Sequence, residues 1–198
     1  MFSIITPTYN RAHTLDRVYT SLKEQTFKEF TWIIVDDGST DNTNKLVEKW
    51  KSDNSNISID YHLLKDNKGK PYAVNYGVKH AKEEFTIIAD SDDSFSSTTL
   101  SDLKSIWDDN KLQSIGAIWT LVLDEDNRIV GDKFPEDRWL VDFKTRVLEN
   151  HIKGEKWHCW RTGVLKSNKM FWSDESHIPE GITWNSINRK FDFLSVFG

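Results

Sequence analysis

Short runs of apolar, largely β-branched residues recur along the first half of the chain, at Phe2 to Ile5, Thr31 to Val35 and Phe85 to Ala89. Runs of this length without polar alternation predict strands buried on both faces of a parallel sheet. Between them the apolar positions change to helical spacing. Leu15, Val18, Tyr19 and Leu22 share one helical face, and Leu46, Val47 and Trp50 share another. Ile57, Ile59, Tyr61 and Leu63 alternate with polar residues, which predicts a half-exposed strand near the sheet edge. A third helix opens at Gly69-Lys70-Pro71, where proline is tolerated in the first turn, and packs through Ala73, Tyr76, Gly77 and Ala81. A fourth begins near Ser96-Ser97, whose hydroxyls suit a cap, and buries Leu100, Leu103 and Trp107. Ile115 to Leu123 reads as the next strand, Asp124 to Arg128 as a turn, Ile129 to Phe134 as a returning strand and Arg138 to Asn150 as a helix.

Strands that alternate with helices predict an α/β fold, an open, twisted, mostly parallel sheet flanked by helices and Rossmann-like over residues 1–110. The 198 residues suit a single domain, which at this size hides roughly 70% of its unfolded surface. Hydrophobic residues at 37% and charged residues at 29% are those of a globular chain. No apolar run approaches the ~20 residues of a membrane span, and no charged leader precedes the first strand, so no secretion signal is expected. Cys159 is the single cysteine. It has no disulfide partner, which favours a reducing compartment and a cytoplasmic location. The apolar run from Phe191 to Gly198 has no polar tail and suggests a truncated domain, with acceptor elements or a membrane-surface helix beyond it.

Charge narrows the partners. The net charge is -5, and residues 83–142 hold fifteen Asp or Glu against five Lys or Arg. Nucleic acid is therefore not an expected partner, and a phosphate ligand needs a cation to approach that region.

Three predicted strands end in polar clusters: Pro7-Thr8-Tyr9-Asn10-Arg11, Asp36-Asp37-Gly38-Ser39-Thr40-Asp41 and Asp90-Ser91-Asp92-Asp93. Carboxyl ends of strands in open α/β sheets converge on one ligand crevice, so these clusters become neighbours. Each cluster alone also reads as a turn, a helix cap or a solvated loop. Together, Asp36, Asp37, Asp90, Asp92 and Asp93 gather like charge at one edge, a cost that a divalent cation removes. Hard oxygen donors without nearby His or Cys select Mg²⁺ or Mn²⁺ over zinc. A dinucleotide fingerprint, a Walker A loop and a nucleophile elbow are all missing from the sequence.

Four segments, in order, carry a resemblance: Ser3 to Arg11, Val35 to Asp41, Asn67-Lys68-Gly69-Lys70 and Asp90 to Asp93. They resemble the family 2 glycosyltransferases over about the first half of the chain. The resemblance implies the GT-A fold, inverting chemistry, a nucleotide-sugar donor and a DxD metal site, with residues 1–110 as the donor half and 111–198 as the acceptor half. It implies that Tyr9 packs on the base, that Pro7 and Thr8 approach it through backbone, and that Asp37 accepts a base N–H, as uracil requires. Arg11 then lies beside the diphosphate, Asp36 and Asp90 border the ribose, and Ser91 lies in the loop between. Asp92 holds the metal with Asp93 behind it. Lys68 and Lys70 face phosphate or simply solvate a helix start.

An inverting transfer needs a base on the acceptor hydroxyl. The family's late Glu-Asp motif is matched imperfectly by Pro179-Glu180-Gly181-Ile182, with Gly181 where Asp usually stands, so Glu180 inherits the role and Asp174 and Glu175 are alternatives. Trp157, Trp160, Trp172 and Trp184 serve either as acceptor platforms or as core, and His158 and His177 as structural residues. The acceptor implied is a saccharide or lipid-linked saccharide in polysaccharide assembly, at the inner face of a membrane with peripheral association. Two other classes remain: a nucleotide-sugar-binding module without transfer, which Gly181 motivates, and a nucleotidyltransferase with a two-carboxylate metal site.

Overall fold

The computed structural model describes residues 1–53, 57–173 and 178–197. Eight strands form one mixed sheet in the order β3-β2-β1-β4-β7-β5-β8-β6. The strands are β1 (Phe2–Thr8), β2 (Phe30–Asp36), β3 (Ser58–Leu63), β4 (Phe85–Ile88), β5 (Ile115–Leu121), β6 (Trp139–Val141), β7 (Lys156–Arg161) and β8 (Asp192–Val196). Helices α1 (Asp16–Lys23), α2 (Thr43–Ser52), α3 (Lys70–His80) and α4 (Thr99–Asp109) alternate with the first five strands, and α5 (Thr162–Ser167) and α6 (Glu180–Asn188) follow β7.

The GT-A arrangement follows from this order. β1, β2, β3 and β4 are mutually parallel. β7 then enters antiparallel between β4 and β5, β8 runs parallel to β5, and β6 closes the edge antiparallel to β8. The chain moves outward from β1 to β3 and returns on the other side of β1 as β4. That reversal opens a crevice between the carboxyl ends of β1 and β4, where open α/β sheets bind ligands.

Both faces of β1, β2 and β4 are buried, as their unbroken apolar runs predict, while β3 at the edge is only partly buried. Phe2, Ile4, Trp32 and Ile34 pack toward α1, α2 and α4, while Ile5, Ile33 and Val35 pack toward α3 and α5. The predicted helix faces hold: Leu15, Val18, Leu22, Val47, Trp50, Leu100, Leu103 and Trp107 are all buried. Gly77 sets the seat of α3. A Cβ there would lie 2.5 Å from Ile5 Cγ2 and 3.2 Å from Val35 Cγ2, so the helix lies closer to β1 and β2 than any side chain would permit.

Three local expectations are corrected. Ser96 and Ser97 do not cap α4; Gln25 does so from a distance, its Oε1 accepting the Leu100 N–H at 3.0 Å while its Nε2 donates to the Ser96 carbonyl at 2.7 Å. Ile129 to Phe134 forms one antiparallel bridge, Leu123 with Ile129, and no strand. At Gly131 the chain turns at φ +78° to meet Gly154 backbone to backbone, which ends the pairing. Arg138 to Asn150 is not an α-helix: Trp139 to Val141 pairs with β8, and Lys144–Glu149 forms a π-helical segment. Leu140 is exposed and Val141 buried, a strand's alternation on which long-range pairing overrides the helical spacing.

A cleft at the carboxyl ends of β1 and β4

The loops after β1 and β2 are laced together. Asn10 adopts φ +53° and its Oδ1 accepts the Thr40 and Asp41 N–H groups at 2.8 and 3.2 Å, while its own N–H donates to Ser39 Oγ at 2.8 Å. Asp41 accepts the Ala12 N–H at 3.1 Å and caps α2 through the Thr43 N–H and hydroxyl at 2.9 and 2.6 Å. These bonds frame a cleft of about 370 Å³.

Pro7, Thr8, Tyr9 and Arg11 line the cleft from the β1 side, Asp37 from β2, and Asp90, Ser91 and Asp92 from β4. The structure therefore gathers eight of the residues that the sequence singled out. Tyr9 offers a ring 44% exposed at the mouth. Asn67, Gly69, Lys70 and Ala73 complete the lining. Of these only Lys70 had been read as facing the site. Asn67 and Gly69 belong to the Asn67-Lys68-Gly69-Lys70 segment that carries the resemblance without a role of their own, and Ala73 reads as a packing residue of α3.

Three residues stand elsewhere. Asp36 is fully buried, with Oδ1 accepting the Ser39 N–H and Oδ2 the Tyr61 hydroxyl, both at 2.7 Å, so it pins two strands and does not border the cleft. Burial, with Asp36 opposite, pushes the Tyr61 hydroxyl well above its ordinary value. Lys68 is exposed and turned over the Tyr72 ring at 5.1 Å. Its N–H donates to Asp37 at 3.0 Å and its carbonyl accepts the Trp172 indole N–H at 2.7 Å, so it serves through backbone and its ammonium does not line the cleft. Asp93 turns back on its own loop, where Oδ2 accepts the Asp90 N–H at 2.7 Å. Burial first, and then the carboxylates of Asp90 and Asp92, push Asp93 up to about 6 against the pull of that hydrogen bond.

The expectation that five aspartates share one uncompensated edge is thus corrected. Asp37 accepts the N–H groups of Lys68 and Gly69, the latter at 2.7 Å, and burial still raises it above an ordinary carboxylate. Asp90 is paired with the Lys70 ammonium at 2.7 Å. Asp92 alone keeps an exposed carboxylate with no partner among the described residues. No group of three or more His, Cys, Asp or Glu side chains able to hold a metal exists among those residues. The lining offers oxygen donors without His or Cys. This set fits a Mg²⁺ or Mn²⁺ ion held jointly by Asp92, phosphate oxygens and water, and does not fit a metal held by protein alone.

The second half of the chain reaches the cleft at its rim. Glu180 opens α6 and lies 2.6 Å from Lys70 Nζ. Asp174, Glu175 and His177 lie outside the described residues. Trp160 is core, 1% exposed and packed on Trp184 at 4.8 Å. Trp157 donates to the Ile88 carbonyl at 2.9 Å, at the end of β4. Trp172 packs on Tyr72 at 5.1 Å and reaches the 67–69 loop through the Lys68 carbonyl. His158 sits among the rings of Trp160, Trp184 and Phe193, and burial pushes its imidazole down to about 3.

A parallel half-sheet with an acid-rich crevice at its switch point, an open ring at the mouth and a second half supplying a carboxylate is the frame of a GT-A transferase. The chain belongs to glycosyl transferase family 2, whose sequence profile matches residues 3–173. It is 35% identical over 195 residues to a GalNAc(5)-diNAcBac-PP-undecaprenol beta-1,3-glucosyltransferase of Campylobacter jejuni, covering 96% of this chain and 60% of that protein. It is also similar to the poly(ribitol-phosphate) beta-N-acetylglucosaminyltransferase TarS of Staphylococcus aureus, 36% identical over 112 residues that make up 55% of this chain and 19% of TarS. The solved structure of TarS residues 1-349 superposes with a TM-score of 0.78 at 27% identity, over 98% of this chain and 57% of that one. The same TarS fragment in complex with UDP-GlcNAc gives a TM-score of 0.74 at 25% identity, over 98% and 55%. A mannosyltransferase of Pyrobaculum calidifontis, in complex with GDP-Man and Mn²⁺, shares the fold at a TM-score of 0.71 and 18% identity, over 100% and 54%. The chain thus spans little more than half of these structures, and 19% to 60% of the two named relatives' full lengths.

Proposed function

We propose that the chain catalyses inverting transfer of a sugar from a UDP-sugar donor to a saccharide or lipid-linked saccharide acceptor. The observation that carries this reading is the position of Glu180: a carboxylate from the second half of the chain reaches the rim of the cleft that the first half builds, through Lys70. In this reading the chain works as one catalytic unit, with residues 1–110 taking the donor and 111–198 the acceptor. The UDP-GlcNAc bound by TarS and the undecaprenol-linked glycan in the Campylobacter relative's name support the donor and acceptor classes.

Tyr9 stacks on the uracil ring, Asp37 accepts its N–H, and Arg11 faces the diphosphate. A Mn²⁺ or Mg²⁺ ion at Asp92 supplies charge stabilisation to the diphosphate when bound. Glu180 accepts the proton of an acceptor hydroxyl; the freed oxygen attacks the anomeric carbon, the bond from that carbon to the diphosphate oxygen breaks, and UDP leaves with the bonding electrons. A single displacement of this kind inverts the anomeric configuration. Among the described residues no helix is long and apolar enough to cross a membrane.

Glu180→Gln tests the assignment. Removal of a general base costs ~10² to 10⁴ in transfer rate while leaving donor affinity unchanged. Transfer within threefold of wild type would remove Glu180 from the mechanism. A wild-type protein that binds UDP-sugar without turnover on any acceptor would instead favour a binding module, the reading that Gly181 beside Glu180 motivates.

A further inference from the structure

Lys70 opens α3 between two carboxylates from distant parts of the chain. Its Nζ lies 2.7 and 2.8 Å from Asp90 Oδ1 and Oδ2, and 2.6 Å from Glu180 Oε1. One ammonium is thus within hydrogen-bonding distance of both carboxylates. Burial alone would lower the pKa of Lys70, yet the charges of Asp90 and Glu180 outweigh it and the group is held more firmly protonated than a free lysine.

We propose that Lys70 is a positioning residue that fixes the Glu180 carboxylate against the donor-side loop at Asp90, and not a ligand of the donor phosphates. The inference rests on the reading of Glu180 as base. Around its neighbour Gly181 a Cβ would find nothing within 4 Å, so packing at that position does not restrain the start of α6. Among the described residues Lys70 is the side chain that restrains the Glu180 carboxylate, and it takes Oε1 while Oε2 has no partner there.

The lysine stands on a firm support. Gly77 seats α3 against Ile5 and Val35. Asn75 exchanges two hydrogen bonds with the Met170 backbone, at 2.9 Å to its carbonyl and 2.8 Å from its N–H. The next residue, Phe171, donates its N–H to Thr183 Oγ1 of α6 at 3.1 Å. The helix that bears Lys70 and the helix that bears Glu180 are therefore tied together below the ion pair, and Lys70 ties them at the cleft. A base held by both halves is aimed at an acceptor only while the donor-side loop is in place, a geometric coupling of the kind on which near-attack positioning depends.

The test compares wild type with Lys70→Met, Lys70→Arg, Glu180→Gln and the Lys70→Met/Glu180→Gln double variant. Binding of UDP with Mn²⁺ is measured by titration calorimetry. Turnover is measured as UDP released from whichever of UDP-GlcNAc, UDP-glucose or UDP-galactose the wild type consumes fastest, with water or added sugar as nucleophile. Thermal melts check that each variant is folded. The expected result is that Lys70→Met keeps its UDP Kd and donor KM within about threefold while kcat falls by ~10². Lys70→Arg, which keeps the charge, recovers at least a tenth of wild-type kcat. The double variant turns over no more than about threefold slower than Glu180→Gln alone, because residues that act through one group are not additive. A Lys70→Met variant whose UDP binding weakens tenfold or more at unchanged kcat would make Lys70 a phosphate ligand and overturn the proposal. So would a kcat within threefold of wild type, or losses that multiply in the double variant. If Glu180→Gln itself stays active, the base assignment fails. If Glu180→Gln is inactive and Lys70→Met is harmless, the positioning role alone fails.

Discussion

The Asp37 carboxylate receives the Gly69 N–H at 2.7 Å, so the residue expected to meet the nucleotide base also holds the loop that forms the opposite wall of its cleft. Gly69 adopts φ +87°, and a Cβ placed on Gly38 beside Asp37 would lie 3.2 Å from the Asn67 backbone nitrogen. One carboxylate thereby joins the ends of β2 and the start of α3.

Two losses are combined in Asp37→Ala: a contact to the base and the anchor of the 67–69 loop. UDP binding is expected to weaken by about 1–3 kcal/mol, the range for a buried hydrogen bond left unmade. Asp41→Ala removes a helix cap and a tie to Ala12 outside the cleft lining, so it should lower stability and leave UDP affinity nearly unchanged. Equal losses of affinity in the two variants by calorimetry would contradict the role given to Asp37.

The carboxylates of the Asp90 loop separate by position. Asp92 is open to the cleft, whereas Asp93 closes its own loop through the Asp90 N–H. Asp92→Asn should abolish the dependence of UDP affinity on Mn²⁺. Asp93→Asn keeps an acceptor oxygen for the loop and should retain that dependence. A Mn²⁺ requirement that survives in Asp92→Asn and disappears in Asp93→Asn would exchange the two roles.

Overpacking is expected in Gly77→Ala. The added methyl would lie 2.5 Å from Ile5 Cγ2, and forcing a methyl into a packed interface costs about 1–3 kcal/mol. Urea denaturation reads the loss directly; a variant as stable as wild type would show that α3 can lift from the sheet without cost.

The pH dependence of stability has a marked acid side. His158 is pushed down to about 3 by burial, with Arg146 adding to the effect, and its Nε2 has no hydrogen-bond partner among the described residues. A free histidine titrates near 6.5. Between these values the unfolded chain binds a proton that the folded chain does not, so stability falls as pH drops below about 6.5. At pH 5 the loss from this residue is about 2 kcal/mol, at about 1.4 kcal/mol per pH unit. His158→Phe keeps a ring in the cluster and should flatten the acid limb by that amount in denaturation measured from pH 7.5 to 5.

The strands of the first half and the loops that follow them were legible because their signals are local. Phe2 to Ile5 and Thr31 to Val35 carry buried-strand patterns, and the chemistry sits at their ends, where the topology of a parallel sheet gathers it. Charge bookkeeping from sequence failed at the same place. Asp36, Asp37 and Asp90 find a tyrosine hydroxyl, loop N–H groups and Lys70, partners that only the folded chain brings within reach. The cap of α4 by Gln25 and the pairing of Trp139 to Val141 with β8 were hidden for the same reason, since each depends on a contact between segments far apart in sequence. Glu180 was singled out from an imperfect motif match, and its tie to Lys70, which the structure shows, has no sequence signature.

Calorimetric titration of the wild-type protein with UDP, once in excess Mn²⁺ and once in excess EDTA, tests the nucleotide cleft most directly. Among the described residues Asp92 is the free carboxylate at a crevice whose other acids are already engaged, so UDP should bind saturably at one site per chain with Mn²⁺ and at least tenfold more weakly without it. Saturable binding of equal strength in Mn²⁺ and EDTA would contradict the metal-bridged donor site, and no binding in either condition would contradict the cleft itself.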